Sequence, residues 1–143
     1  MTSTYDVIVI GGGAAGMMAA AVGSARGKRV LLLEKNAKLG QKLAITGGGR
    51  CNILNAEKDE KALLAHYAGS EQFLYSAFNK FGMEASYMFF ESQALPLKVE
   101  ARNRAFPATE KASDVVQLFQ KCLIEGNVEV HLKSPVTKVN YKG

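Results

Sequence analysis

Gly11, Gly13 and Gly16 stand in G-x-G-x-x-G spacing within "VIVIGGGAAGMM", and Glu34 lies 23 positions after Gly11. Each type has a mechanical use in holding a dinucleotide. Gly11 permits a tight turn, Gly13 lets a diphosphate approach the main chain, and Gly16 lets a helix lie close to a strand. Phosphates would then meet unpaired N–H groups at the positive end of a helix. A carboxylate at Glu34 can accept hydrogen bonds from both hydroxyls of an adenosine ribose, and it would repel a 2′-phosphate.

A second glycine cluster, "TGGGRCN", comprises Thr46, Gly47, Gly48, Gly49, Arg50, Cys51 and Asn52. Such a loop can turn several amides toward an anion beside a guanidinium. It is not a P-loop, because no G-K-[S/T] follows at the required spacing. Cys51 and Cys122 are far apart and form no paired motif, so Cys51 reads as a packing residue and a reducing cytoplasm suits the chain. His66 and His131 have no neighbouring ligand or acid pattern and read as ordinary surface or interface residues. No residue makes a convincing general acid or base, so the catalytic groups stay unassigned and no metal site is expected.

These residues need elements to position them. Val7, Ile8, Val9 and Ile10 form a β-branched run that fits a strand buried on both faces. Residues 14–25 read as a helix of small residues ending near Gly27, and residues 29–34 as a second buried strand closed by Glu34. Strand, glycine turn, helix and strand in this order make a right-handed βαβ unit. With "VEVHL" at Val128 as the next parallel strand, the sheet order is 3-2-1. Residues 35–55 read as a loop, and 57–65 and 71–81 as inserted helices. In the second of these, Phe73, Leu74, Ala77, Phe78 and Phe81 recur at helical spacing and read as core. "YMFFE" at Tyr87, "LKVE" at Leu97 and "VTKVNY" at Val136 read as short strands. Residues 112–125 read as an amphipathic helix with Val115, Val116, Leu118, Phe119, Cys122 and Leu123 inward, Ser113 as cap and Gly126 as stop.

The 143 residues, 48% hydrophobic and 22% charged, fit a globular α/β class. The +5 net charge is scattered rather than striped, so it marks a solvated surface, and no nucleic-acid partner is expected. A signal peptide needs basic residues ahead of its apolar core, and only Asp6 is charged there. A membrane span needs roughly 20 apolar residues, more than this run supplies. No membrane partner is expected. Nothing after Val136 offers further sheet strands, so residues 1–143 read as the front part of a larger dinucleotide domain, incomplete at its C-terminus.

"YDVIVIGGGAAGMMAA", "LLLEKN", "LGQKLAITGGGRCNILN", "LPLKVE" and "NRAFPATEKASDVVQLF", in this order, resemble the bacterial aminoacetone-oxidase-type family of FAD-binding enzymes. Its members are also described as NAD(FAD)-utilising dehydrogenases, and they are related to bile-acid-type reductases. The resemblance covers almost the whole chain. It implies a Rossmann-like fold holding FAD, with NAD(P)H as a candidate electron donor and a small molecule as substrate. Gly11, Gly12, Gly13, Ala14, Ala15 and Gly16 would hold the diphosphate, and Glu34 with Lys35 the ribose. Lys42 and the loop of residues 46–52 would lie toward the flavin, and the Val136 main chain would meet adenine. Arg102 stands where the family pattern has a glycine, which puts the turn there in doubt. The inserted substrate domain and the closing segment of family members have no counterpart, so the chain is expected to cradle FAD without turning over. Two rivals are a tRNA-modifying flavoprotein of the glucose-inhibited division protein A class and a non-enzymatic nucleotide-binding module.

Overall fold

A computed structural model describes residues 4–141; Lys142, one of the scattered bases, and the chain ends of the 1–143 domain lie outside the described residues. The chain divides into two compact units, one running to Ile45 and resuming at Val116, the other comprising Thr46–Val115.

The first unit carries β1 (Val7–Ile10), α1 (Ala14–Ala25), β2 (Val30–Leu33), α2 (Gln41–Ile45) and β6 (Glu129–His131). Its sheet runs β1-β2-β6, parallel throughout, with Val7 opposite Val30 and Leu31 opposite Glu129. This is the expected 3-2-1 order and a Rossmann-like α/β fold. In β2, Val30, Leu31 and Leu32 are all buried, as an unbroken apolar run demands of a central parallel strand. In β1 the expectation of two buried faces fails: Ile8 and Ile10 are 56% and 57% exposed. β1 borders β2 alone in this sheet, and α1 covers only its Val7 and Val9 side.

α1 packs on both strands, with Met17 and Ala20 completely buried. It ends in a Schellman turn: Lys28 donates to the Gly23 carbonyl, Gly27 to that of Ser24, and Gly27 adopts φ +73°. α6 (Ala112–Glu125) closes in the same way, but Asn127 rather than Gly126 takes the left-handed conformation, at φ 51°. Gly126 is instead needed for space, since a Cβ there would run into Ser24 Oγ. Ser113 lies inside α6, not at its cap, and its hydroxyl donates to Asp114. Val115, Leu118, Phe119 and Leu123 are buried as expected, whereas Val116 and Cys122 are half-buried.

The second unit has an antiparallel sheet of β3 (Leu54–Asn55), β5 (Arg104–Pro107) and β4 (Leu97–Glu100), in that order. Its helices are α3 (Glu60–Ala65), α4 (Glu71–Phe81) and α5 (Met83–Ser92). Three expectations need correction. "YMFFE" lies in α5; Met83, Tyr87 and Phe90 recur at helical spacing, which a window opening at Tyr87 cannot reveal. The α4 stripe is only partly core: Leu74 and Phe78 are half-buried, while Phe73 is 85% exposed. Residues 35–55 are not simply loop, since they hold α2, a tight turn Thr46–Gly49 and β3.

A fourth correction falls in the first unit. "VTKVNY" forms no strand among the described residues, and Val139 and Tyr141 are exposed. Ser134 makes the last ladder-like bond before Pro135, which has no amide to donate.

The doubtful turn at Arg102 keeps the conformation glycine would supply. Arg102 adopts φ 63° and Asn103 φ 54°. Left-handed backbone costs an L residue about 1–2 kcal/mol, partly offset by glycine's greater unfolded-state entropy of about 0.5–1 kcal/mol. Arg102→Gly is therefore expected to raise unfolding stability by about 0.5 kcal/mol, read from urea melts. A loss would show that the Arg102 side chain matters more than its backbone.

Candidate functional site: a glycine turn beside a buried carboxylate

The turn leaving β1 sorts its amides by use. Gly11, at φ +104°, donates to the Leu33 carbonyl (2.8 Å) and so extends the sheet ladder. Gly12 donates to Glu34 Oε2 (2.6 Å), and its own carbonyl accepts from Gly40 (2.8 Å). Gly13 is the N-cap of α1 and makes no side-chain capping bond, and the first turn holds no acid. Gly13, Ala14 and Ala15 are exposed. Helices leave their first N–H groups without internal partners, so this end of α1 offers bare donors and a positive dipole to an anion.

Side-chain bulk is excluded on both flanks. A Cβ on Gly16 would collide with the Gly11 carbonyl oxygen, and one on Gly12 with Leu39. Around Gly13 the same test meets nothing within 4 Å. The turn is therefore tight where it must pack and open where a diphosphate would sit. The residues present fit such a group.

Glu34 follows β2 and is 6% exposed. Oε1 accepts from the Asn36 amide (2.8 Å) and from Asn36 Nδ2 (2.7 Å), while Oε2 accepts from Gly12. These donors hold the carboxyl below its ordinary pKa, the Asn36 amide most and then Gly12, against the opposing effect of burial. Main-chain bonds from Glu34 to the His131 carbonyl (2.9 Å) and from Ser134 to the Glu34 carbonyl (2.8 Å) fasten the segment after β6 alongside. Val136 follows two residues later, exposed and without regular structure. Lys35 and Lys42 are exposed. Sequence reasoning missed Asn36 and Gly40. The "LG" before α2 was a signal for Gly40, whose φ of +65° and contact with Val116 leave no room for a side chain.

The second glycine cluster belongs to the other unit. Gly47, Gly48 and Gly49 are left-handed and exposed. Arg50, expected beside an anion, instead pairs with Glu100 (3.0 Å) and Glu110 (3.3 Å) and stacks 4.1 Å over Phe106. The pairing raises its pKa and lowers that of Glu100. Cys51 is buried, at φ 61°, with its amide on the Thr46 carbonyl (3.0 Å), and burial pushes its thiol pKa up. A buried, protonated thiol is inert, as a packing role requires. Asn52 is exposed, and its amide abuts Gly47. Arg50→Ala is expected to speed proteolytic cleavage within residues 46–49 several-fold, an effect that added salt in the parent protein should partly reproduce. An unchanged cleavage rate would mean the ion pairs do not order the loop. His66 and His131 are exposed, His131 against Glu129 (2.9 Å). Among the described residues no cluster of possible metal ligands occurs, and no helix is long and apolar enough to cross a membrane.

A family model described as the HI0933-like protein Rossmann domain matches residues 5–143. The chain belongs to this family. It is a Rossmann-like FAD-binding domain in fold. It is 30% identical over 135 residues to the ribosomal RNA dihydrouridine synthase of Escherichia coli strain K12, covering 94% of this chain and 33% of that one. It is 29% identical over 140 residues to the 3-dehydro-bile acid delta(4,6)-reductase of Clostridium scindens, again covering 94% and 33%. The chain thus spans about a third of the length of these curated relatives. The fold is also that of the 3-ketosteroid-delta4-(5alpha)-dehydrogenase from Rhodococcus jostii RHA1, with a TM-score of 0.64 at 16% identity, over 90% of this chain and 38% of that one.

Proposed function

We propose that this HI0933-like domain holds the adenosine-diphosphate portion of FAD in a reductase or dehydrogenase acting on a small molecule with an activated carbon–carbon double bond. One observation carries the reading: α1 begins with bare, exposed amides at a turn only glycine can make, beside a buried carboxylate. The name of the bile-acid delta(4,6)-reductase relative suggests the substrate class. FAD supplies the hydride donor and acceptor, and no side chain here need do so.

The chain's own residues bind and orient. The Gly13, Ala14 and Ala15 amides meet the diphosphate, Gly16 keeps α1 against the turn, and Glu34 takes the ribose with Lys35 nearby. The main chain near Val136 lies against adenine, and Lys42 serves the flavin end. The Asn36 and Gly12 donors keep Glu34 ionised despite its burial, which disfavours a 2′-phosphate and argues for FAD over NADP at this turn. NAD(P)H enters only as an electron donor. The domain works in the cytoplasm, in an aminoacetone-oxidase-type flavoprotein.

Titrating the purified chain with FAD tests this. Flavin fluorescence should be quenched saturably, and NADH should not be oxidised. Tighter binding of NAD or ATP than of FAD would favour a nucleotide-binding module and overturn the proposal. A second reading rests on the 30% identity to a ribosomal RNA enzyme and the +5 net charge. It requires RNA affinity that falls steeply with salt.

A further inference from the structure

The Glu34 carboxylate is nearly saturated by its own chain. A carboxylate offers about four lone-pair sites. Oε1 is filled by both nitrogens of Asn36, at 2.8 and 2.7 Å, and Oε2 carries the Gly12 amide at 2.6 Å. One acceptor site is left, on Oε2. The Asn36 main chain is pinned as well, because its carbonyl accepts from Lys133 at 2.9 Å. The side-chain amide therefore sits on Oε1 from a fixed base.

We infer that Asn36 is a specificity-determining residue that blocks Oε1, so that Glu34 grips one ribose hydroxyl through Oε2 and not the 2′,3′-diol through both oxygens. This rests on the FAD reading above and corrects its expectation of a two-hydroxyl grip. The remaining hydroxyl faces the Asn36 side chain and solvent, and contributes little. Removing the Asn36 amide frees a lone pair on Oε1 and lets the second hydroxyl bind there. The main-chain bond from residue 36 persists in any variant, so Glu34 stays ionised and in place.

The test compares ADP, 2′-deoxy-ADP and 3′-deoxy-ADP by calorimetry on the 143-residue chain and its Asn36→Ala and Asn36→Ser variants. In the parent protein, loss of one hydroxyl should weaken binding about tenfold or more, the worth of a hydrogen bond to a charged group. Loss of the other should matter less than about threefold. In both variants the two deletions should each weaken binding about tenfold. Equal penalties in the parent protein would overturn the inference while leaving the FAD reading intact, and so would variants that keep the parent's asymmetry. Failure of ADP and FAD to bind at all would overturn both. Asn36→Ser keeps a short polar group, so it serves should Asn36→Ala fold poorly.

Discussion

Gly16→Ala is expected to cost about 3 kcal/mol of unfolding free energy and to abolish measurable FAD binding. The added Cβ would enter the space of the Gly11 carbonyl oxygen and press on Val9 Cγ1 (3.3 Å). Neither obstacle is a flexible side-chain end: one is main chain, and the other is a β-branched methyl in β1. Overpacking of this kind typically costs 1–3 kcal/mol and shifts backbone. Here the shift must move the first turn of α1 away from the strand, so the amides at Gly13, Ala14 and Ala15 lose their aim together. Urea melts and flavin-fluorescence titration give the two readouts. If Gly16→Ala melted like the parent protein, the close approach of turn and helix would be wrong. If it melted early but bound FAD normally, the turn would not be the diphosphate site.

Glu34→Gln should be nearly as severe, for an electrostatic reason. The replacement keeps the shape but removes the charge that three donors share, and it sets an NH2 group against at least one of them. Hydrogen bonds to charged groups are each worth about 1.5–3 kcal/mol, and a buried donor left unpaired loses its solvation as well. A net cost of about 3 kcal/mol follows, with FAD affinity falling about 10–100-fold through the lost ribose contact. The pH dependence has a fixed sign. The folded-state pKa of Glu34 is lowered from 4.5, so its contribution is complete above that value and drains away as pH falls through the folded value. Stability of the parent protein should therefore drop more steeply below about pH 4.5 than that of Glu34→Gln, measured by thermal melts across the acid range. Parallel acid limbs would mean that Glu34 is not held as an anion in the fold.

Elements built from local or continuous signals were legible. The βαβ order, the 3-2-1 sheet, α4, α6 and β4 follow from apolar period, glycine position and strand-sized β-branched runs. Misreadings arose where type alone does not distinguish strand from helix. The aromatic run at Tyr87 needed Met83 to show its helical period, and the stripe on α4 needed its neighbours to decide how much of it is covered. The alternation at Val136 lacked a partner edge, and Pro135 removed a donor where a ladder would have continued.

For the candidate site, sequence by itself determined the chemistry on offer: a glycine turn into a helix, and an acid at the end of the next strand. Spacing along one chain suffices there, because the strand rise and helix turn convert sequence distance into fixed position. Tertiary structure alone decided how each group is spent. It placed the Gly12 amide and both Asn36 nitrogens on Glu34, and it set Arg50 between Glu100 and Glu110. Residues 50 and 100 meet because β5 pairs with β3, which follows Arg50, on one side and with β4, which ends at Glu100, on the other, pairings no local pattern records. A side chain's charge is written in its residue type, whereas the partner that neutralises it depends on which other segment the fold brings alongside.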